Sequence, residues 1–167
     1  DLLAPAFRGR DELMVSVLSD VQAVGNGISL HWFQGARGSG RTRLLAELRD
    51  VLRFEMGVVV LAARGQDPAV GMSAARQLFS QVPFYVRGVL REQLAEVLGP
   101  SAVVALDLAP GLQPWLPAEL VDEPPPDPAS SRMLYYQAAE RLLSLIGGQA
   151  RIAVLMDDAD RVDPDSL

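Results

Sequence analysis

The chain has 167 residues, 49% of them hydrophobic, which is enough to bury a real core and argues against disorder. Zero cysteines exclude disulfides and thiolate metal sites, the single His31 excludes a histidine-rich zinc centre, and a net charge of −6 denies this segment the footprint of a nucleic-acid binder. No apolar run approaches the ~20 residues of a membrane helix, and Asp1-Leu-Leu-Ala-Pro5 lacks a signal peptide's basic start, so no membrane partner and a cytoplasmic location are expected.

In chain order, Leu13, Val17, Val21 and Val24 recur at helical spacing, and Gly25-Asn-Gly27 breaks that helix. The apolar stretch Ile28-Ser-Leu-His-Trp-Phe33 predicts a first strand. Residues 35–42 follow as Gly-Ala-Arg-Gly-Ser-Gly-Arg-Thr, and a helix is predicted over Arg41–Glu55, stopping near Gly57. Strand, glycine-rich loop and helix in this order form the setting of a phosphate-binding P-loop. Gly35, Gly38 and Gly40 let the backbone turn and aim N–H groups inward, and the helix N-terminus adds its positive dipole end. Ala36, Arg37 and Ser39 complete the candidate cradle, and Thr42 supplies the hydroxyl that would hold Mg²⁺. Arg41 stands where the motif has lysine. All 15 basic residues are arginine, so this reads as a chain-wide replacement; it preserves charge but changes shape, because guanidinium is planar and larger than ammonium.

Val58-Val-Val-Leu-Ala62 predicts a second buried strand. Helices are predicted over Ala74–Val82 and Tyr85–Leu98, separated at Pro83 and closed by Gly99-Pro100, with short helices over 101–121 and Trp115 as a packing residue. Asp122-Glu-Pro-Pro-Pro-Asp-Pro128 predicts an extended linker, since successive prolines forbid helix and sheet pairing. Ser130 or Ser131 then caps a helix through Ile146, with Leu134, Ala138, Leu142 and Leu145 on one face and Gly147-Gly148 at its end. Arg151-Ile-Ala-Val-Leu-Met-Asp-Asp158 is a buried parallel strand ending in two carboxylates, at the sheet end where open α/β proteins place ligands. Asp157 is the candidate Mg²⁺-side carboxylate and Asp158 the candidate water-orienting or base residue. Asp163-Pro164-Asp165 starts a new helix.

These elements predict an α/β P-loop NTPase fold, a three-layer sandwich with a parallel sheet, truncated after the acidic strand. Residues 1–167 form the N-terminal part of one ATPase domain, and residues 71–148 a largely helical insert within it. The missing initiating Met and the lack of a strand to fill the gap between strand one and the acidic strand suggest a fragment. Unpaired groups along both edges of that gap would favour self-association.

Three segments together resemble one family. Phe7-Arg-Gly-Arg-Asp-Glu-Leu13 is similar to the opening signature of STAND-type ATPases, Phe33–Glu47 to their P-loop and following helix, and Asp157–Leu167 to the "DDxxxxDPxSL" stretch after their acidic strand. Within that group the chain most resembles the ATPase module of the large ATP-binding regulators of the LuxR type. The resemblance implies ATP or ADP with Mg²⁺ as ligands, and Arg8, Gly9 and Arg10 as contacts to the adenine. It implies DNA as a partner only through a domain absent from this chain. The chain departs from the pattern at Arg41, which puts hydrolysis in doubt more than binding, and at Asp160, where the family often has histidine. The expected function is a nucleotide-dependent switch of a transcriptional regulator, with slow or doubtful hydrolysis. Alternatives are a degenerate nucleotide-binding scaffold acting through protein contacts, or another P-loop enzyme such as a kinase, for which the chain offers no phosphate-acceptor site.

Overall fold

A computed structural model describes residues 9–25, 29–66, 69–86, 91–118, 124–148 and 150–166. The chain forms two compact units, Asp1–Met56 and Gly57–Leu167. Among the described residues no helix is long and apolar enough to cross a membrane.

The first unit holds two helices, α1 (Asp11–Ala23) and α2 (Arg41–Asp50), and α2 continues into a π-helical turn over Val51–Glu55. Asp11 and Glu12 sit in the first turn of α1, where negative charge meets the positive end of the helix dipole. Val17 of α1 and Leu44 and Leu48 of α2 form the buried core, with Met14, Leu18, Val21, Phe33 and Leu45 packed against it. The first strand expected at 28–33 is not formed: residue 28 lies outside the described residues, and 29–33 carry no strand pairing. The period-two alternation is present, with His31 and Phe33 half-buried while Leu30 is 87% and Trp32 65% exposed. An apolar run becomes a strand only when a neighbour takes its N–H and C=O groups. None among the described residues does so here.

The second unit is mixed α/β. Strands β1 (Val59–Arg64) and β2 (Ile152–Asp157) pair in parallel, in register from Val59 opposite Ile152 to Arg64 opposite Asp157. The chain between them is helical: α3 (Ser73–Phe79), α4 (Arg91–Leu98), α5 (Ala102–Leu108) and α6 (Arg132–Gly147), with 3-10 turns at Val82–Phe84, Gly99–Ser101 and Pro110–Trp115. Several boundaries differ from expectation. Tyr85 and Val86 follow a 3-10 turn that contains Pro83 and are not helical, and α4 is described from Arg91; residues 87–90 lie outside the described ones. Gly99, at φ +46°, ends α4, yet the chain passes through the 3-10 turn directly into α5. Ser131 stands at the cap position of α6 without a cap bond from its hydroxyl, while Ser130 Oγ donates to the Asp127 carbonyl. Asp163-Pro164-Asp165 forms a turn, not a helix.

The main core lies among the helices and one face of β1. Leu61, Leu94, Leu98, Leu108, Leu112 and Leu142 are buried there, with Trp115 packed against them. Burying several leucines to this degree contributes about 2 kcal/mol each before entropy is counted. A polar knot stitches the helices together: Asp107 Oδ2 accepts from Arg76 Nη2 and from the Tyr135 hydroxyl, each at 2.8 Å. Burial, then the Asp107 carboxylate, push the Tyr135 phenol far above its ordinary pKa, so it stays a donor.

Two features tie the sheet to the helices. On the side of β1 away from β2, the Gln81 amide accepts from Ala62 N at 3.2 Å and donates to Ala62 O at 2.7 Å. Gln77 does the same for Arg64, at 3.2 and 3.1 Å. Two side-chain amides thus replace a neighbouring strand, covering an edge that would otherwise recruit another chain. Among the described residues β2 has no second strand beside it.

The second feature is the cap of α3. Asp163 is fully buried and its carboxylate accepts from Met72 N (2.7 Å), Ser73 N (3.0 Å), Ala74 N (3.3 Å) and the Ser73 hydroxyl (3.0 Å). Ser166 Oγ takes the next N–H, that of Ala75, at 3.1 Å, and itself donates to Asp163 at 2.8 Å. The orphan N–H groups of the α3 N-terminus are therefore satisfied by a turn some 90 residues later in the chain. Burial alone would raise the Asp163 pKa, but the bonds from Ser166, Ala74, Met72 and Ser73 outweigh it and hold the pKa below the ordinary carboxylate value.

Asp163→Ala leaves those N–H groups buried and unpaired, and is expected to destabilise the protein by roughly 3 kcal/mol. Because the folded-state pKa is depressed, the Asp163 contribution is complete above the unfolded value of about 3.9 and is lost as pH falls from there through the folded value. Acid titration of the unfolding free energy should show a steeper loss below about pH 4 in the unaltered protein than in Asp163→Ala.

Candidate functional site

The glycine-rich loop occupies residues 35–40 of the first unit and runs straight into α2. Gly40, at φ +82°, stands at the cap position of α2, and Gly38 has the same φ of +82°. In this left-handed region a Cβ would be strained, so both glycines serve the turn. Gly35 is needed for a different reason: a Cβ there would meet Ser39 Oγ at 2.6 Å. Ser39 N donates to the Ala36 carbonyl at 3.0 Å, closing the turn, and Leu44 N donates to Gly40 O at 2.9 Å, opening the helical ladder.

Ser39 Oγ is the one buried side-chain polar atom without a hydrogen-bond partner among the described residues. Such a hydroxyl is costly unless something supplies a partner. A bound phosphate oxygen beside the loop would do so, at the positive dipole end of α2.

The structure brings the opening Gly-Arg segment onto this loop. Arg10, at the cap position of α1, donates from its Nη2 to the Ser39 carbonyl. Gly9 is exposed at φ +84°, and Arg8 lies outside the described residues. Ala36, Arg37 and Thr42 are exposed and Arg41 is half-buried at the first position of α2. The loop therefore offers two cationic side chains, Arg37 and Arg41, along a backbone built from small residues.

The acidic pair lies in the second unit, at the C-terminal end of β2. Asp157 is half-buried and its Oδ1 accepts from Asp158 N at 3.0 Å. Asp158 takes a left-handed backbone, φ +48°, which turns the chain out of the strand into the 3-10 turn Ala159–Arg161. Its carboxylate is ion-paired: Arg64, the last residue of β1, donates from Nε at 2.8 Å and from Nη2 at 2.7 Å, both to Oδ2. That carboxylate raises the Arg64 pKa further above its ordinary value, so the guanidinium is a fixed positive charge. Among the described residues no cluster of three His, Cys, Asp or Glu could by itself hold a metal ion. Thr42 and Asp157, the residues matched to the Mg²⁺ ligands, each belong to their own unit.

Comparison with protein families, with curated proteins and with solved structures gives no match to this chain.

Two contributors escape a motif-based reading. Arg64 lies outside every motif, and the one sequence signal of its role is its position at the end of the strand that pairs with the acidic one. Gly65 carries none in the sequence, yet it makes the acidic corner possible: its N donates to Asp157 O at 2.9 Å, and a Cβ on it would meet Asp158 O at 2.2 Å and Val162 N at 2.9 Å.

Those neighbours are backbone atoms of a 3-10 turn and cannot swing aside. Gly65→Ala should therefore cost roughly 3 kcal/mol, the upper range for overpacking. The expected fall in thermal midpoint is about 6–12 °C for a chain of this size. A midpoint within a degree of the unaltered protein would show that the β1 and β2 exits do not approach this closely.

Proposed function

We propose that this chain is the adenine-nucleotide-binding switch module of a larger transcriptional regulator. It takes ATP or ADP with Mg²⁺ and resembles the STAND-type ATPases. The observation that carries the proposal is the loop itself. Gly35 makes room for Ser39, Ser39 holds a buried hydroxyl without a partner among the described residues, and Gly38 and Gly40 turn the backbone into the N-terminus of α2. An anion with several oxygens supplies what these groups lack. The parallel β1–β2 pair ending in Asp157 and Asp158 supports a P-loop sandwich as the finer architecture.

In this reading Arg41 matches the phosphate charge, Arg37 adds to it and Thr42 is the loop's oxygen donor toward Mg²⁺, while Asp157 is assigned to the metal by its place in the sequence motif alone. Bound nucleotide would supply polyphosphate charge and a hydrolysable terminal phosphate; the loop's own residues would bind and orient it. Gly9 and Arg10 belong to the adenine side, with Arg8 assigned by resemblance alone. DNA contact belongs to a domain outside this chain, and self-association through the second edge of β2 is part of the same proposal. A second reading, a scaffold that binds nucleotide without turnover, is favoured by Arg41: a planar guanidinium fits a transferring phosphoryl group differently from the point charge of lysine.

Calorimetric titration with ADP tests the binding. Arg41→Ala should weaken ADP affinity by roughly 1–3 kcal/mol, the range for a lost charged hydrogen-bond partner. Arg41→Lys should retain it. Unchanged affinity in Arg41→Ala would mean that this arginine points away from the phosphates and that the loop is only a turn.

A further inference from the structure

We propose that His31 and Asp20 form a proton-operated clasp that holds the entry of the glycine-rich loop against α1, so that protonation readies the loop for its anionic ligand. The inference rests on the nucleotide-switch reading above and adds its regulation. Every residue in it belongs to the first unit.

α1 is joined to the loop near both of its ends. At its N-terminus Arg10 donates to the Ser39 carbonyl, inside the loop. In its last turn Asp20 Oδ2 lies 3.9 Å from Nε2 of His31, on the segment that leads into Gly35. That segment carries a shift at His31 onward. The imidazole stacks on the Phe33 ring, with centroids 6.5 Å apart and planes 13° apart, and Phe33 packs on the core of Val17, Leu44 and Leu48. Beyond Phe33, Gly35 approaches Ser39 so closely that a Cβ would meet its hydroxyl. Ser39 is the residue whose buried hydroxyl lacks a partner among the described residues, so the clasp bears on the site itself.

Of the two contacts, only the one at His31 answers to pH. His31 is the single histidine of the chain, and imidazole is the side chain whose charge ordinarily changes between about pH 5 and 8. At 3.9 Å a neutral ring makes no hydrogen bond to Asp20. Its Nε2 meets the Ser29 hydroxyl instead, at 2.7 Å. That hydroxyl donates to a bare nitrogen and accepts from a protonated one, so protonation breaks no bond there. What protonation adds is attraction to the Asp20 carboxylate. It also sets a cation beside the last turn of α1, the negative end of the helix dipole, where the helix has no basic residue of its own. The remaining acids of the two helices lie elsewhere: Asp11 and Glu12 in the first turn of α1, Glu47 by Arg43 at 3.4 Å and Asp50 by Arg49 at 3.0 Å on α2. Among the described residues, Asp20 is the only carboxylate within ion-pair distance of the imidazole.

Protonation therefore favours binding. As pH falls from about 8 to about 6 the ring gains its charge, the carboxylate draws it in, and the segment is held on α1. A loop ordered before its ligand arrives loses less freedom on binding. The imidazole is 24% and the Asp20 side chain 57% exposed, so the attraction is screened and its effect is modest.

Two measurements on the unaltered protein, Asp20→Asn, His31→Gln and His31→Arg test the clasp. The first needs no ligand: the NMR amide signals of Gly35, Gly38 and Gly40 are followed between about pH 8 and pH 5.5, beside the imidazole signals of the single histidine. In the unaltered protein the glycine signals should move in step with the imidazole. In Asp20→Asn the imidazole still titrates and the glycine signals should stay still. The second is ADP affinity by calorimetry at about pH 6 and about pH 8. Protonation of the ligand's own phosphates is common to all four proteins and cancels between them. The ratio of affinities, low pH over high, should be about 2- to 5-fold larger in the unaltered protein than in Asp20→Asn or His31→Gln, the range for a partly exposed ion pair. His31→Arg, a permanent cation, should bind more tightly than the unaltered protein at the higher pH and equally at the lower. Glycine signals that ignore the imidazole, or that follow it unchanged in Asp20→Asn, overturn the clasp. Equal ratios in all four proteins, with ADP bound, overturn its effect on binding. Glycine signals that move in step while no ADP binds at either pH uphold the clasp and overturn the nucleotide reading alone.

Discussion

The second unit hangs on the backbone polar groups of β1. Buried strand N–H and C=O groups must be paired, because leaving one unpaired inside a core costs about as much as a whole hydrogen bond contributes. β2 satisfies one side of β1, and the amides of Gln77 and Gln81 satisfy Ala62 and Arg64 on the other. Because the two glutamines are four residues apart, one on α3 and one just beyond it, their bonds fix both the distance and the rotation of that helix against the strand. Leu61 then faces the helical core and Ala63 faces Ala74 and Val162. The same clasp sets Arg64 at the end of the strand, opposite Asp157, where its side chain reaches Asp158. Edge satisfaction, helix placement and the electrostatics of the acidic corner are consequences of one requirement.

The turn at 163–166 gives the second anchor a chemical meaning. An aspartate followed three residues later by a serine is, in this chain, the remote N-terminal cap of α3. Asp165 adds an ion pair to Arg132 at the start of α6, at 2.8 Å. The loop that leaves the acidic strand is thus bonded to the first and last helices of the insert. A capping carboxylate with no exposure and several donors cannot shift without releasing N–H groups into the core.

Much of the secondary structure was legible because it is local. Four valines and leucines at helical spacing gave α1, and apolar runs bounded by polar residues gave β1 and β2. What failed depended on partners. The run at 28–33 has the alternation of a strand but no neighbouring strand among the described residues, and periodicity cannot supply a hydrogen-bond partner. Tyr85–Leu98 has helical spacing throughout, yet Tyr85 and Val86 follow the 3-10 turn at Pro83 and are not helical. In the candidate site, the glycines of the loop and the acidic pair were visible as motifs. Arg64, Gly65 and Asp163 were not assigned roles, because each acts on residues about 90 positions away. Close approach at Gly65 and the clasp by Gln77 exist only once the chain has folded.

The charge distribution bears on how such a loop could work in an acidic chain. A net charge of −6 repels a polyphosphate at long range, but at physiological salt that field is screened beyond about 8 Å. What counts is the charge within that distance of the loop. Residues 35–43 hold Arg37, Arg41 and Arg43 and no acid, and Arg10 donates to the Ser39 carbonyl from outside the run. Arg43 is partly spent on Glu47, at 3.4 Å, which leaves Arg37 and Arg41 as the loop's own cations. Guanidinium groups favour paired contacts to planar oxygen pairs, and such contacts form as readily with a resting diphosphate as with a transferring phosphoryl group. Under the proposed nucleotide reading, a loop armed this way is suited to holding its ligand in the ground state. In catalysis by differential binding, stabilising the ground state and the transition state alike adds nothing to turnover. Under the proposed reading, the arginine in the lysine position therefore favours retention of nucleotide over its turnover.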